Sequence, residues 1–175
     1  GNAIFGKQSG EKGLFRLVVT FHIMMIIQMI SGQIGENGCL ELYTADAFLV
    51  EKIMLCGITA TPPNNEIHKT ALGAEDSVEW QYFESTIDCV NALKASGYTI
   101  CCLEQVKDSV ALQDFVVERG KKYAIVLGNE VNGVEQAVVD ACDVCIEIPQ
   151  CGTKHSLNVS VSGGIAIWHF FKALL

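Results

Sequence analysis

The feature that most constrains this chain is its alternation, from about Ala45 onward, between short runs that are apolar throughout and segments with helical spacing. The runs are Lys52–Cys56, Tyr98–Leu103, Tyr123–Leu127 and Val144–Ile148. A strand with one wet face alternates apolar and polar residues. A strand that is apolar at nearly every position is covered on both faces, as in a parallel sheet flanked by helices. The intervening segments supply those helices. Ser85–Ala95 places Ile87, Val90 and Leu93 on one side, with Ser85 and Asp88 spaced as a capping box and Gly97 suited to the stop. Val110–Val117 reads as a helix ended by Gly120, Val134–Cys142 as another, and Leu157–Leu175 as the last. Thr59–His68 carries Pro62, Pro63, Asn64 and Asn65 and reads as a loop. The expected fold is α/β, a mostly parallel sheet with helices on both faces. In such sheets crossovers are right-handed and ligands lie outside the carboxyl ends of the strands. That points to the loops after Leu103, Leu127 and Ile148.

Length and composition bound the remainder. At 175 residues, half of them apolar and 18% charged, residues 1–175 suit a single domain with a sizeable core. The formal charge is −8. An acidic chain is a poor non-specific binder of nucleic acid, because phosphate contacts require Lys and Arg, so any such contact needs a local basic patch or one built across a dimer. The eight cysteines lie mostly inside apolar runs, as in Ile100-Cys101-Cys102-Leu103, where a free thiol behaves as a small hydrophobe. A reduced, cytoplasmic chain is expected. Cys142-x-x-Cys145 has metal-ligand spacing without a second pair to complete a four-ligand site, so no metal is expected. Leu14–Ile30 is very apolar but is 17 residues long and contains Arg16, His22 and Gln28. It is read as a buried strand followed by irregular chain rather than as a membrane span or a signal peptide.

A nucleotide-type cofactor is often held by G-x-G-x-x-G after the first strand, and no such motif occurs. The glycines come late, in Leu127-Gly128-Asn129-Glu130-Val131-Asn132-Gly133-Val134. Gly128 and Gly133 permit a tight backbone path or close approach to a ligand. The plain structural alternative is a strand-to-helix turn with Glu130 favourably near a helix start. Downstream, Ile148-Pro149-Gln150-Cys151-Gly152 leads into Ser156-Leu157-Asn158-Val159-Ser160. Ser156 is read as a cap for the last helix. Asn158, in the first turn of that helix, is a poor choice for stability alone.

These two segments, in order and about 20 residues apart, resemble the signature of the SpoU (TrmH-like) branch of the SPOUT RNA methyltransferases. Thr44-Ala45-Asp46-Ala47-Phe48 is similar to the end of the family's first motif, and Ile67–Gly73 also looks familiar for the group. The resemblance covers roughly Thr44–Lys172. It implies an α/β domain with a C-terminal deep trefoil knot, S-adenosylmethionine as cofactor, a homodimer, and transfer of a methyl group to a ribose 2′-hydroxyl of tRNA or rRNA. Carried over, it places the cofactor against Leu103, Gly128, Ile148, Ser156 and Leu157. It places Ser156, Asn158, Glu130 and Asn37 at the reacting centre, with Asn129 and Glu130 near the dimer partner. Lys69, Asn129 and His155 are candidate RNA contacts. The exposed-loop alternative stands beside this for His155, as it does for His68.

Residues 1–43 depart from the family pattern. Its Asn-x-Gly-x-x-x-Arg corresponds to Asn37-Gly38-Cys39-Leu40-Glu41-Leu42-Tyr43, with Gly38 displaced by one and Tyr43 in the arginine position. A tyrosine, with an ordinary pKa near 10, carries no fixed positive charge and forms no bidentate phosphate contact. Either the segment has diverged or the written sequence is altered before Thr44. The alternative to an active enzyme is therefore a knotted RNA-binding or scaffolding relative without catalysis. An unrelated Rossmann-like binding domain is a third reading. Arg119 is read as capping a helix end, and Ser162-Gly163-Gly164 as a site of close packing, at a dimer interface or in a kinked core helix.

Overall fold

The fold is that of a computed structural model, described for residues 23–28 (backbone only), 44–59, 61, 78–128, 132–153 and 156–175. Among these residues seven strands form one sheet: β1 (Ile23–Gln28), β2 (Lys52–Cys56), β3 (Trp80–Phe83), β4 (Tyr98–Leu103), β5 (Val110–Ala111), β6 (Lys122–Leu127) and β7 (Val144–Glu147). The strand order is β3-β2-β1-β6-β4-β7-β5. Every pairing is parallel, from Ile53↔Trp80 at one edge to Val110↔Ile146 at the other. Two late strands occupy gaps between earlier ones: β6 lies between β1 and β4, and β7 between β4 and β5. Three helices of six residues or more pack on the sheet, α1 (Thr86–Ala95), α2 (Gln136–Ala141) and α3 (Val159–Leu174), and residues 44–47 form a single helical turn.

The strand-by-strand alternation explains why these runs are apolar throughout. On one face Ile53, Leu55, Cys101, Tyr123, Ile125 and Leu127 pack with Ala166, Ile167 and Phe170 of α3. On the other Met54, Cys56, Ile100, Cys102, Ala124 and Val126 pack with Cys89, Val90 and Leu93 of α1 and Val138 of α2. Adjacent residues of each strand thus enter opposite cores. Complete burial of Ile125 and Phe170 contributes about 1.5–3 kcal/mol each relative to exposure. The expected sheet covered on both faces is therefore present.

Local signals behave as their chemistry requires at α1. Ser85 Oγ accepts from Asp88 N at 3.4 Å, and Gly97 takes φ +82° just past the helix. Asp143 in the α2–β7 turn accepts from Ile100 N at 2.8 Å and from Lys94 Nζ at 2.8 Å. Burial pushes this carboxyl up, but the amide and the ammonium together outweigh burial and hold it below the usual carboxylate range.

Three expectations are corrected. Val110–Val117 is not a helix: Val110–Ala111 pairs with the end of β7, and a single 3-10 turn, Leu112–Asp114, follows. The ladder takes the backbone groups that a helix would use, and Phe115 then packs against Tyr123 and Phe170 at ring separations of 6.2 and 5.6 Å. Arg119 consequently lies in a turn, with no helix end for it to cap. The last helix starts at Val159, and its cap is Asn158 rather than Ser156: Asn158 Oδ1 accepts from Ser160 N at 2.9 Å and Val161 N at 3.4 Å. At that position Asn is among the favoured residues, so local stability does account for it. β3 was not anticipated from sequence. Gly163 is where α3 approaches this chain's own sheet, since a Cβ there would stand 2.9 Å from Leu127 Cδ1.

Candidate active site

The carboxyl ends of the central strands open into one cleft of about 500 Å³. Leu103 and Glu104 end β4, Leu127 and Gly128 end β6, and Glu147 and Ile148 end β7; all six line it. Ser156 and Leu157, in the chain leading into α3, close another side. Five residues anticipated as a ligand-binding set from separate stretches of sequence (Leu103, Gly128, Ile148, Ser156 and Leu157) therefore meet in one place. Of the four anticipated at the reacting centre, Ser156 lines the cleft and Asn158 caps α3 beside it. Glu130, Asn37, Asn129, His155 and Lys69 lie outside the described residues, as do Tyr43 and His68.

The tight path of the β6–α2 loop depends on its two glycines. A Cβ on Gly128 would collide with the backbone of Gly133 and stand 2.6 Å from Val134 N, so the loop crosses itself where only hydrogen fits. Gly133 takes φ +66°, and a Cβ there would run into the carboxylate of Glu104. That carboxylate fastens the crossing: Oε2 accepts from Val134 N at 3.0 Å and Oε1 from Gln105 N at 3.1 Å. Glu104 N donates in turn to Ile146 O at 3.1 Å, tying the β4 end to β7. Glu104 was missed by sequence reasoning. The one available signal was its position, the first polar residue after an apolar parallel strand.

The lining is apolar at Leu103, Leu127, Ile148, Leu157 and Val159, with amides and hydroxyls at Gln105, Gln150 and Ser162. Among the described lining residues the charged groups are the carboxylates Glu104 and Glu147, with no Lys, Arg or His. Such a cleft favours a cationic or neutral organic ligand over an anion, and its volume is in the ordinary range for a cofactor. Among the described residues no group of His, Cys, Asp and Glu is arranged to hold a metal ion, and no helix is long and apolar enough to cross a membrane.

Comparisons with known proteins agree with this geometry. The model of the SpoU rRNA Methylase family matches residues 27–168. The tRNA (guanosine(18)-2′-O)-methyltransferase TARBP1 of Mus musculus is 40% identical over 82 residues, 47% of this chain and 5% of that protein. The 23S rRNA (guanosine-2′-O-)-methyltransferase RlmB of Nitrosomonas europaea is 29% identical over 154 residues, 86% of this chain and 56% of that protein. The chain thus spans about half the length of its bacterial relative. Among solved structures, an AdoMet-bound rRNA methyltransferase from Sinorhizobium meliloti superposes with a TM-score of 0.78 at 23% identity, covering 87% of this chain and 56% of that one. The A. aeolicus TrmH/SpoU tRNA modifying enzyme gives 0.75 at 24% identity, covering 87% and 75%. With the family model spanning the sheet from the end of β1 into α3, the chain belongs to the SpoU rRNA methylase family.

Proposed function

We propose that this chain is an S-adenosylmethionine-dependent RNA ribose 2′-O-methyltransferase acting on tRNA or rRNA as a homodimer in the cytoplasm. The observation that carries the reading is the convergence of the Gly128 turn and the Ile148-to-Leu157 segment, far apart in sequence, on one cleft at the strand ends. The residues present fit the cofactor. The cleft has sufficient volume, and its fixed charges, Glu104 and Glu147, suit a sulfonium. The late insertion of β6 and β7 between earlier strands supports the family's knotted C-terminal path.

In this reading Leu103, Gly128, Ile148 and Leu157 hold the cofactor, which when bound supplies an electrophilic methyl group. The apolar walls at Leu127, Ile148 and Val159 exclude water from it. Ser156 orients the ribose hydroxyl through its own hydroxyl. Asn158 fixes the start of α3 and so the direction in which Ser156 points. Glu130 and Asn37 complete the centre and help remove the hydroxyl proton. Alignment of this kind lowers the barrier by up to about 7–11 kcal/mol, and assisted proton removal accelerates the step about 10²–10⁴-fold. Lys69, Asn129 and His155 contact the RNA. Val161, Ile165 and Trp168, 41–48% exposed along one face of α3, supply an apolar surface for the second protomer.

The test is calorimetry with S-adenosylhomocysteine, followed by transfer of labelled methyl to bulk RNA with ribose analysis of the product. Binding and 2′-O-methyl product are expected. A folded sample that binds no ligand at millimolar concentration overturns the reading. Tyr43 in the family's arginine position favours one second reading, a binding relative without catalysis; ligand binding with no transfer, restored by Tyr43→Arg, would establish it.

A further inference from the structure

The carboxyl edge of the sheet extends beyond the cleft. Leu55 is aligned with Ile27 of β1 and with Tyr82 of β3, Ile27 with Leu127, and Leu127 with Leu103. Tyr82, Leu55, Ile27, Leu127 and Leu103 therefore form one transverse row, whose last two members line the cleft. Register partners share a face, so Tyr82 lies on the α3 side with Leu55 and Leu127. Trp80, two residues earlier on that side, packs against the core, whereas Tyr82 on the outermost strand is 45% exposed. Three strand spacings of about 4.8 Å separate Tyr82 from Leu127, about 14 Å in all.

The ring is anchored. Tyr82 Oη donates to Gly57 O at 2.7 Å. The turn that offers this carbonyl is itself fastened: Gly57 N donates to Phe83 O at 3.0 Å, and Thr59 Oγ1 to Cys56 O at 2.6 Å. Yet the fastened turn projects Ile58 into solvent, 68% exposed, one residue from the carbonyl that holds the tyrosine. Neither Tyr82 nor Ile58 belongs to either core.

We infer that Tyr82, with Ile58 beside it, is a stacking platform for an unpaired base of the substrate RNA, a few nucleotides from the ribose in the cleft. That the ligand is RNA rests on the methyltransferase reading; the row of residues adds where a neighbouring base goes. A strand with its ribose at Leu127 that runs along the row toward β3 reaches Tyr82 in about four nucleotides, at about 3.4 Å per stacked nucleotide. Charge decides the kind of contact. At −8 the chain has little affinity for phosphates, so RNA has to be held by contacts that need no cation. Stacking of a base on an aromatic ring is such a contact, and it accepts any base. Because Gly57 O fixes the phenol before RNA arrives, little side-chain freedom is lost on binding.

The experiment uses the full chain, a fluorescent single-stranded RNA of mixed sequence as binding probe, and bulk RNA as methyl acceptor. Tyr82→Ala should weaken the probe and raise KM for bulk RNA by about 5- to 150-fold, with kcat and S-adenosylhomocysteine affinity unchanged. The loss should persist at high salt, where phosphate contacts fade. Tyr82→Phe keeps the ring and should retain most of the affinity. Tyr82→Leu keeps apolar bulk without a π face and should behave as Tyr82→Ala. Thermal melts establish that each variant is folded, and Tyr82→Leu carries the test if Tyr82→Ala unfolds. A folded Tyr82→Ala or Tyr82→Leu protein with wild-type RNA affinity and KM overturns the platform, as does wild type that binds no probe. So does a Tyr82→Leu protein that matches Tyr82→Phe, which would mark an apolar surface for a protein partner. A parallel loss of S-adenosylhomocysteine affinity also overturns it, since Tyr82 would then only support the fold. Wild type that binds the probe but no S-adenosylhomocysteine removes the enzyme reading alone, because the probe still reads the stacking contact.

Discussion

Replacing Gly128 by alanine tests the crossing of the β6–α2 loop most directly. The added methyl would stand 2.6 Å from both Gly133 O and Val134 N, inside the 3.0 Å limit that real Cβ atoms essentially never pass. These are backbone atoms, so no side chain can swing away; the two limbs of the loop must separate by at least about 0.4 Å. The Val134 N to Glu104 hydrogen bond lies in the displaced limb. Overpacking of this kind costs about 1–3 kcal/mol, which for a domain of this size lowers Tm by about 2–12 °C. The same separation opens the cleft wall, so S-adenosylhomocysteine affinity should fall at least about tenfold, the equivalent of 1.4 kcal/mol. Gly152→Ala is the control. It has open space around its Cβ position and no positive φ, and so should leave Tm unchanged or raise it, by up to about 1 kcal/mol of stability. Differential scanning calorimetry gives the first quantity and titration calorimetry the second. A Gly128→Ala protein with wild-type Tm and wild-type affinity would refute the crossing.

Other expectations follow from single contacts. Glu104→Gln keeps the shape but turns a charge-assisted acceptor into a neutral group facing two amide donors. It should cost about 1.5–3 kcal/mol in chemical denaturation and weaken S-adenosylmethionine more than its neutral product, measured by titration of both ligands. Asn158→Ala removes the α3 cap and should destabilise by about 0.5–2 kcal/mol in urea titration, whereas Ser156→Ala should leave stability within about 0.5 kcal/mol. Asp143 is held below its usual range, so its contribution is present above the unfolded value of about 4 and is lost as pH falls below it. Tm measured from pH 6 to 3 should therefore fall more steeply for wild type than for Asp143→Asn.

The sequence by itself determined the centre of this molecule. Strands β2, β4, β6 and β7 lie inside the sheet and are covered on both sides, so nearly every residue in them is apolar and the runs stand out. The paired motifs around Gly128 and Ser156 likewise announced a cleft, because the backbone path there requires specific residues. Tertiary structure alone decided the edges. Trp80–Phe83 and Val110–Ala111 are the two outermost strands, short and partly exposed, and they carry no apolar run to mark them. Their conformation comes from pairing with residues distant in the chain, as in Val110 with Ile146, which outweighed the helical spacing of Val110–Val117. Glu104 was hidden for a related reason. A glutamate after a strand looks like any solvated turn residue until the fold brings Val134 N within 3.0 Å of it. Local composition encodes burial, and burial was legible. Partners supplied by another part of the chain are not local, and only folding reveals them.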